Sequence, residues 1–190
     1  MPHGLVSDII EIFCDKFAAG VFEHLDTSYR SGWFCVRKKS GKLHLVHDLQ
    51  PLNMVTICNS GIPPLADQVI EAMAGKSCYS LLDLYVGYNH CSLDVSSCDL
   101  MTIQSPIGTL WLTWLPQGWT NVVAIFHKDI AFLIEPEMPH VAWSFIDNCC
   151  IKGPTTHYEA LEDTYEMIPG NHSIRHFIWE HLNDIHCILH

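Results

Sequence analysis

Positive charge is scarce in this chain. Its 190 residues carry ten Lys and Arg against 21 Asp and Glu, a formal net charge of −11. Phosphate-coating proteins need clustered Lys and Arg, so the total argues against simple nucleic-acid coating. A long apolar run is also missing. The longest, residues 122–134, is broken by His127, Lys128 and Asp129, and is too short and too charged to cross a bilayer. Residues 1–20 lack the basic start, apolar centre and small-residue exit of a secretory signal. There is no internal repeat and no low-complexity linker. Charged residues make up only 16% and apolar residues 48%, which excludes disorder by composition and provides for a sizeable core. Nine cysteines, an odd number without an export signal, read as reduced thiols. The expectation is an intracellular protein of cytoplasm or nucleus, neither secreted nor in a membrane. At 21.6 kDa it amounts to one domain, or two small subdomains sharing a core.

What basic charge there is lies together. Five of the ten basic residues (Arg30, Arg37, Lys38, Lys39, Lys42) fall between positions 30 and 42. Beyond Gly153 only Arg175 stands against six acids. With a Debye length of about 8–10 Å, this locality matters more than the sum.

Periodicity sets out the elements. Ile9, Ile10, Phe13, Phe17 and Val21 fall at helical spacing, with Ser7 as cap and Gly20 as stop. Residues 33–38 and 42–48 predict a hairpin turning at Ser40-Gly41. Pro63-Pro64 opens a short helix that Gly75 ends. An apolar strand follows over 79–84, then strands at 100–104 and 109–114 around the turn Ser105-Pro106-Ile107-Gly108. Trp119, Val122, Val123, Phe126, Ile130 and Leu133 trace one helix face. Residues 141–146 and 149–151 predict a tight hairpin around Asp147-Asn148. A closing helix carries Ile174, Phe177, Ile178, His181, Leu182, Ile185 and Leu189. From residue 77 this is strand, hairpin excursion, helix, strand pair and helix: an α+β fold holding most of a split β-α-β, ferredoxin-like unit. That layout calls for one further strand after the last helix.

Asp83 ends an apolar strand, where an unpaired charge is costly. Asp147 sits at the tip of another. If the strands are neighbours, the carboxylates converge and repel unless a cation lies between them, and Mg²⁺ suits such a pair. On spacing alone a second reading stands beside this one: Asp147-Asn148 as a turn dipeptide and Asp83 as a strand-end residue.

Longer strings carry further information. They are 33–39 (WFCVRKK), 41–53 (GKLHLVHDLQPLN), 79–88 (YSLLDLYVGY), 115–127 (LPQGWTNVVAIFH), 145–148 (FIDN) and 174–189 (IRHFIWEHLNDIHCIL). In their order and approximate spacing they resemble the reverse transcriptase of gypsy-type LTR retrotransposons, part of a retroelement polyprotein. The resemblance implies a palm and fingers: 1–76 mainly fingers, 77–95 palm, 96–117 a fingers excursion and 118–190 palm. Asp83 and Asp147 then match the metal-binding carboxylates, with the Leu84 carbonyl assisting. They would hold two Mg²⁺ ions, for which Mn²⁺ can substitute, in nucleotidyl transfer from dNTP to a primer 3′-hydroxyl on a template of RNA or DNA. Tyr88 matches the gate against a ribose 2′-hydroxyl, with a core tyrosine as the plainer alternative. Gln117 and Gly118 match the loop at nucleotide and template. Arg37, Lys38, Lys39 and Lys42 would meet phosphates, or form an ordinary solvated hairpin tip.

Three departures from the family pattern touch the chemistry. Asn148 replaces the second hairpin aspartate and brings no charge. Losing a unit charge about 4 Å from a cation removes on the order of 4 kcal/mol at an effective dielectric of 20, and each ~1.4 kcal/mol in the transition state is tenfold in rate. His44 stands where the family carries a triphosphate-contacting arginine, and neutral imidazole cannot form the bidentate fork. The third is length: the chain stops before a final palm strand, thumb and RNase H domain. The expectation is a reverse transcriptase fragment whose activity is weak or lost. The alternatives are a non-catalytic retroelement remnant that binds nucleotide or nucleic acid weakly, and an unrelated Asp-based Mg²⁺ hydrolase. His172, His176 and Glu180 would share a helix face, but no fourth ligand at zinc spacing accompanies them. Cys149 and Cys150 read as core thiols. Trp111, Trp114 and Trp119 read as packing residues, with base stacking the rarer use.

Overall fold

The structure, a computed structural model, describes residues 5–61, 63–84, 87–161 and 164–190. Its elements in chain order are α1 (Val6–Ala18), β1 (Phe22–His24), β2 (Gly32–Arg37), β3 (Leu43–Asp48), α2 (Gln50–Asn53), α3 (Ala66–Met73), β4 (Tyr79–Asp83), β5 (Thr102–Ser105), β6 (Gly108–Leu112), α4 (Val122–Leu133), β7 (Ala142–Phe145), β8 (Asn148–Lys152), β9 (Glu159–Leu161), β10 (Thr164–Tyr165), β11 (Met167–Ile168), β12 (Asn171–Arg175) and α5 (His176–Leu189). The chain divides into two compact units, Met1–Cys58 with Val86–Val122, and Asn59–Tyr85 with Val123–His190.

In the first unit, α1 forms because Ile9 and Phe13 stack one turn apart on its buried face. Asp8 in the first turn and Lys16 in the last suit the helix dipole. The expected cap, Ser7, lies inside the helix instead. Leu5 holds the cap position and offers no side-chain bond. Gly20, at φ +71°, ends the helix as its position suggests. Ile9 and Phe13 join Phe22, Ile103 and Leu110 in one core cluster. Strands β1, β6 and β5 form an antiparallel sheet in that order. The β2–β3 hairpin pairs from Gly32↔Asp48 to Arg37↔Leu43. Strand alternation turns Trp33, Cys35, Leu43 and Leu45 to the core and leaves Phe34, Val36 and His44 exposed. Gly41 makes the expected turn at φ +83°. A smaller cluster gathers Leu49, Leu52 and Met101 against Leu93 and Trp119. Trp119 therefore precedes α4 rather than belonging to it, and its indole N–H donates to Thr56 Oγ1 at 3.1 Å.

In the second unit, β8 lies between β4 and β7, antiparallel to both. With α4 between β4 and β7 in the chain and α5 after β8, this is a split β-α-β order. Ala142, Cys149, Ile151 and Ile134 form the core, covered by Leu82, Met138, Val141, Ile185 and Ile188. The other face of the sheet carries Tyr79, Leu81 and Asp83, all exposed. Buried His181 of α5 clamps this sheet from the core side. Its Nε2 lies 2.8 Å from Ser80 Oγ and its Nδ1 3.3 Å from the Lys152 carbonyl. Gly153 is fixed by close approach, because a Cβ there would stand 2.5 Å from Cys78 Sγ and 2.8 Å from its carbonyl oxygen.

Several boundaries shift from the sequence expectation. The β7–β8 turn is Ile146-Asp147, and Asn148 is the first residue of β8. Helix α5 starts at His176, so Ile174 belongs to β12. His172 also lies in β12, and it shares no helix face with His176. Leu133, two turns beyond buried Phe126 on the same face of α4, is exposed at the end of the helix. Four short strands, β9 to β12, fill a stretch in which periodicity shows no element.

Two stability effects follow. His47 Nε2 lies 2.6 Å from Ser31 Oγ, whose hydroxyl donates to the Thr102 carbonyl, so Nε2 donates and Nδ1 is a buried atom without a partner. Burial pushes this imidazole down to about 4, against weaker upward pulls from Asp48 and the Thr102 backbone. Above pH ~6.5 both folded and unfolded chains keep His47 neutral and the stability is whole. As pH falls from there to about 4 the unfolded chain binds the proton first, so stability drops by on the order of 3 kcal/mol and then levels. Urea melts across this range check it, and His47→Gln flattens that limb. The second effect is backbone strain. Ile146 is β-branched yet sits at φ +57°, which costs about 1–3 kcal/mol. Ile146→Asn, a residue that tolerates this region, should leave the urea midpoint no lower than the parent's. A loss above about 1 kcal/mol would show that no strain is stored there.

Candidate active site

Apolar alternation along β4 and β8 delivers the first group of site residues. Leu82 faces the core, so Asp83 must face away from it, at the end of the strand. Its register partner is Asn148. Directly opposed residues on antiparallel strands hold their Cβ atoms about 4.5–5.5 Å apart on one face. Asp147 adjoins them in the turn: Asn148 Nδ2 donates to Asp147 Oδ1 at 3.0 Å. The Leu84 amide donates to the Asp147 carbonyl at 3.0 Å, which ties the turn to the end of β4. The three polar side chains predicted from sequence thus converge at one edge of one sheet. Tyr85 and Val86 of the same string lie outside the described residues.

The donor set is two carboxylates, one amide and the carbonyl of Leu84. Hard oxygens of this kind suit a divalent cation that completes its shell with water and phosphate oxygen. Among the described residues no group of three or more His, Cys, Asp or Glu is gathered in this way. The charge available to a cation is therefore that of one carboxylate pair. The Asn148 amide donates where a second turn aspartate would accept, and so occupies part of the Asp147 carboxylate.

The remaining predicted residues belong to the first unit. There a cavity of about 440 Å³ brings His44, Gln117 and Gly118 together with Lys16, Asn89 and Trp114. Gly118 adopts φ +95°, and a Cβ there would meet nothing within 4 Å, so its requirement is backbone conformation rather than crowding. Asn53 fixes this loop, its Nδ2 donating to the Gly118 carbonyl at 2.9 Å and its Oδ1 accepting from the Thr120 amide at 2.8 Å. Burial first, then the positive charges of Lys38 and Lys16, lower the pKa of His44. Burial also lowers the pKa of Lys16. Tyr88 is half-buried in the 3-10 turn Gly87–His90.

The hairpin cations separate. Arg37 and Lys42 line a hollow together with Asp8, Glu11 and Asp15 of α1, so acids face them. Lys39 is exposed at the tip and Lys38 lies toward His44. Sequence reasoning missed Lys16 and Asn53. Lys16 reads there as the polar side of an amphipathic helix. Asn53 stands at the end of the 41–53 string and could have been singled out from it.

No protein-family model matches the chain. Over 99 residues, 51% of its length, it is 28% identical to the enzymatic polyprotein of cauliflower mosaic virus (strain D/H), of which it covers 15%. The native protease-reverse transcriptase of prototype foamy virus superposes with a TM-score of 0.64 at 22% identity, over 77% of this chain and 19% of that one. A foamy viral protease-reverse transcriptase in complex with RNA/DNA hybrid superposes with a TM-score of 0.70 at 17% identity, over 82% of this chain and 21% of that one. The chain thus spans about a fifth or less of the length of these relatives. The structural likeness shows the fold, an α+β fold of the reverse transcriptase kind.

Proposed function

We propose that the chain is a gypsy-type reverse transcriptase domain, built for RNA-directed nucleotidyl transfer and weakened at its chemistry. The reading is supported above all by one observation: Asn148, the ladder partner of Asp83 at the end of β4, donates to the Asp147 carboxylate. Asp83 and Asp147, with the Leu84 carbonyl, would hold Mg²⁺ or Mn²⁺. Bound there, such ions lower the pKa of a primer hydroxyl and neutralise triphosphate charge. The chain's own groups do the rest by position. Gln117 and the Gly118 backbone face incoming nucleotide and template, and Tyr88 limits room at the ribose 2′ position. Arg37 and Lys39 are assigned to phosphate contacts, and His44 to the triphosphate. The partners are template RNA or DNA, a primer and dNTP, and the subdomains are palm and fingers.

Two features favour the weaker form of this reading, a remnant that binds but scarcely reacts. Asn148 offers Asp147 a hydrogen bond and no negative charge. At His44 burial and the nearby lysines favour the neutral imidazole, which lacks the bidentate fork that an arginine offers to phosphate.

Primer extension on an RNA template, with Mg²⁺ and then Mn²⁺, tests the proposal. The parent chain should elongate at or near background. Asn148→Asp with His44→Arg should raise incorporation at least tenfold, about 1.4 kcal/mol in the transition state. Asp83→Ala in that background should remove the gain. A restored pair that stays inert, or phosphate release with no lengthened primer, overturns the polymerase reading. Robust synthesis by the parent, lost in Asp83→Ala, overturns the weakened form alone.

A further inference from the structure

A second cavity, wholly within the second unit, has no part in that reading. It measures about 440 Å³, and Pro64, His127, Ala131, Met138, Pro139 and Trp143 form most of its wall. That volume lies in the ~300–1,000 Å³ range of small-molecule sites. Two wall residues carry buried ring nitrogens with no hydrogen-bond partner, Trp143 Nε1 and His127 Nδ1. Buried polar atoms are paired in roughly nine cases out of ten, so two orphans on one cavity call for an explanation.

Their chemistry is complementary. An indole N–H can only donate. Burial lowers the pKa of His127, so its ring is neutral and Nδ1 can accept when Nε2 carries the proton. The wall supplies flat and polarisable surfaces in Trp143, Met138 and the prolines, which pack well against rings. It supplies no Lys or Arg, and its one charged residue is Glu135, so a phosphate or carboxylate ligand is disfavoured. The Ser144 hydroxyl turns to Met138 Sδ at 3.9 Å.

We propose that this cavity binds a small uncharged heteroaromatic lactam. The ring lies against Trp143, Met138 and Pro139. The lactam carbonyl accepts from Trp143 Nε1, and the adjacent lactam N–H donates to His127 Nδ1. Neither nitrogen is accessible to solvent in this structure, so binding requires both side chains to rotate on ligand entry, as side chains at binding surfaces commonly do. The site is independent of the polymerase reading and survives its failure.

The probe is isoquinolone, whose amide carbonyl adjoins a ring N–H, with naphthalene as the same-sized ligand lacking both. Titration of the full chain is followed by calorimetry and by the indole N–H resonance of Trp143, assigned by its loss in Trp143→Phe. Isoquinolone should bind at least about tenfold more tightly than naphthalene and displace that resonance. Trp143→Phe and His127→Phe should each cost about tenfold or more. Equal affinity for the two ligands, or an unmoved Trp143 resonance up to the solubility limit, overturns the proposal. Those two readouts use the parent chain and do not depend on a variant folding.

Discussion

The pairing of Asp83 with Asn148 across β4 and β8 is the constraint on which the candidate site depends. Side chains alternate along a strand with period two, so a slip of one residue would drive Asp83 into the core and lift Leu82 into solvent. The register is held from the opposite face. Leu82 opposes Cys149 and Ser80 opposes Ile151, and Cys149 and Ile151 are core residues. His181 adds a second hold, because one imidazole engages Ser80 of β4 and the Lys152 carbonyl of β8. Relative sliding of the strands would break at least one of those contacts. The carboxylates are exposed, but what fixes them is buried.

Charge at the site is thin for a structural reason. Asn148 keeps the shape of an aspartate while replacing a negative acceptor with a donor, and the donated bond falls on Asp147. In the first unit the positive charge is constrained in its own way. Arg37 and Lys42 share their hollow with three acids of α1, which draws their field inward. The cavity holding His44, Gln117 and Gly118 takes its cation from Lys16 of α1, a residue that burial already inclines toward the neutral form. Each unit, taken by itself, thus offers less charge than the number of its ionisable residues suggests.

Elements with strong periodicity were legible in the sequence. The pattern Ile9–Phe13, the Ser40-Gly41 turn, the strand bearing Asp83 and the split β-α-β order appear where the pattern put them. That the strand bearing Asp83 neighbours the hairpin bearing Asp147 was the condition set from sequence, and the ladder pairs Asp83 with Asn148, the residue after Asp147. What failed was local. Ser7 is a good cap type, but burial of Ile9 and Phe13 with Leu5 packed alongside starts the helix two residues earlier. Asp-Asn is a strong turn dipeptide, yet cross-strand pairing with both Asp83 and Phe145 draws Asn148 into β8. Strands β9 to β12 have two to five residues, too few to show a period. Arg37 read as free charge because its acidic neighbours lie some twenty-five residues away in sequence and meet it only through the packing of α1 on the hairpin.

The displaced turn also explains an unusual residue. A two-residue hairpin connection needs positive φ, which glycine or asparagine supplies cheaply. Here the positive-φ position falls on Ile146, while the asparagine stands two places further on, in the strand. A local rule is broken at the one turn where the chemistry is proposed, which is where such violations concentrate. The turn cannot relax by rotating Asp147 away, because the Asp147 carbonyl is bonded to the Leu84 amide. Nor can Asn148 leave the ladder without losing its partners on both sides. The strain at Ile146 is therefore carried by the pairing of β8 with its two neighbours, and the same pairing holds Asp147 beside Asp83.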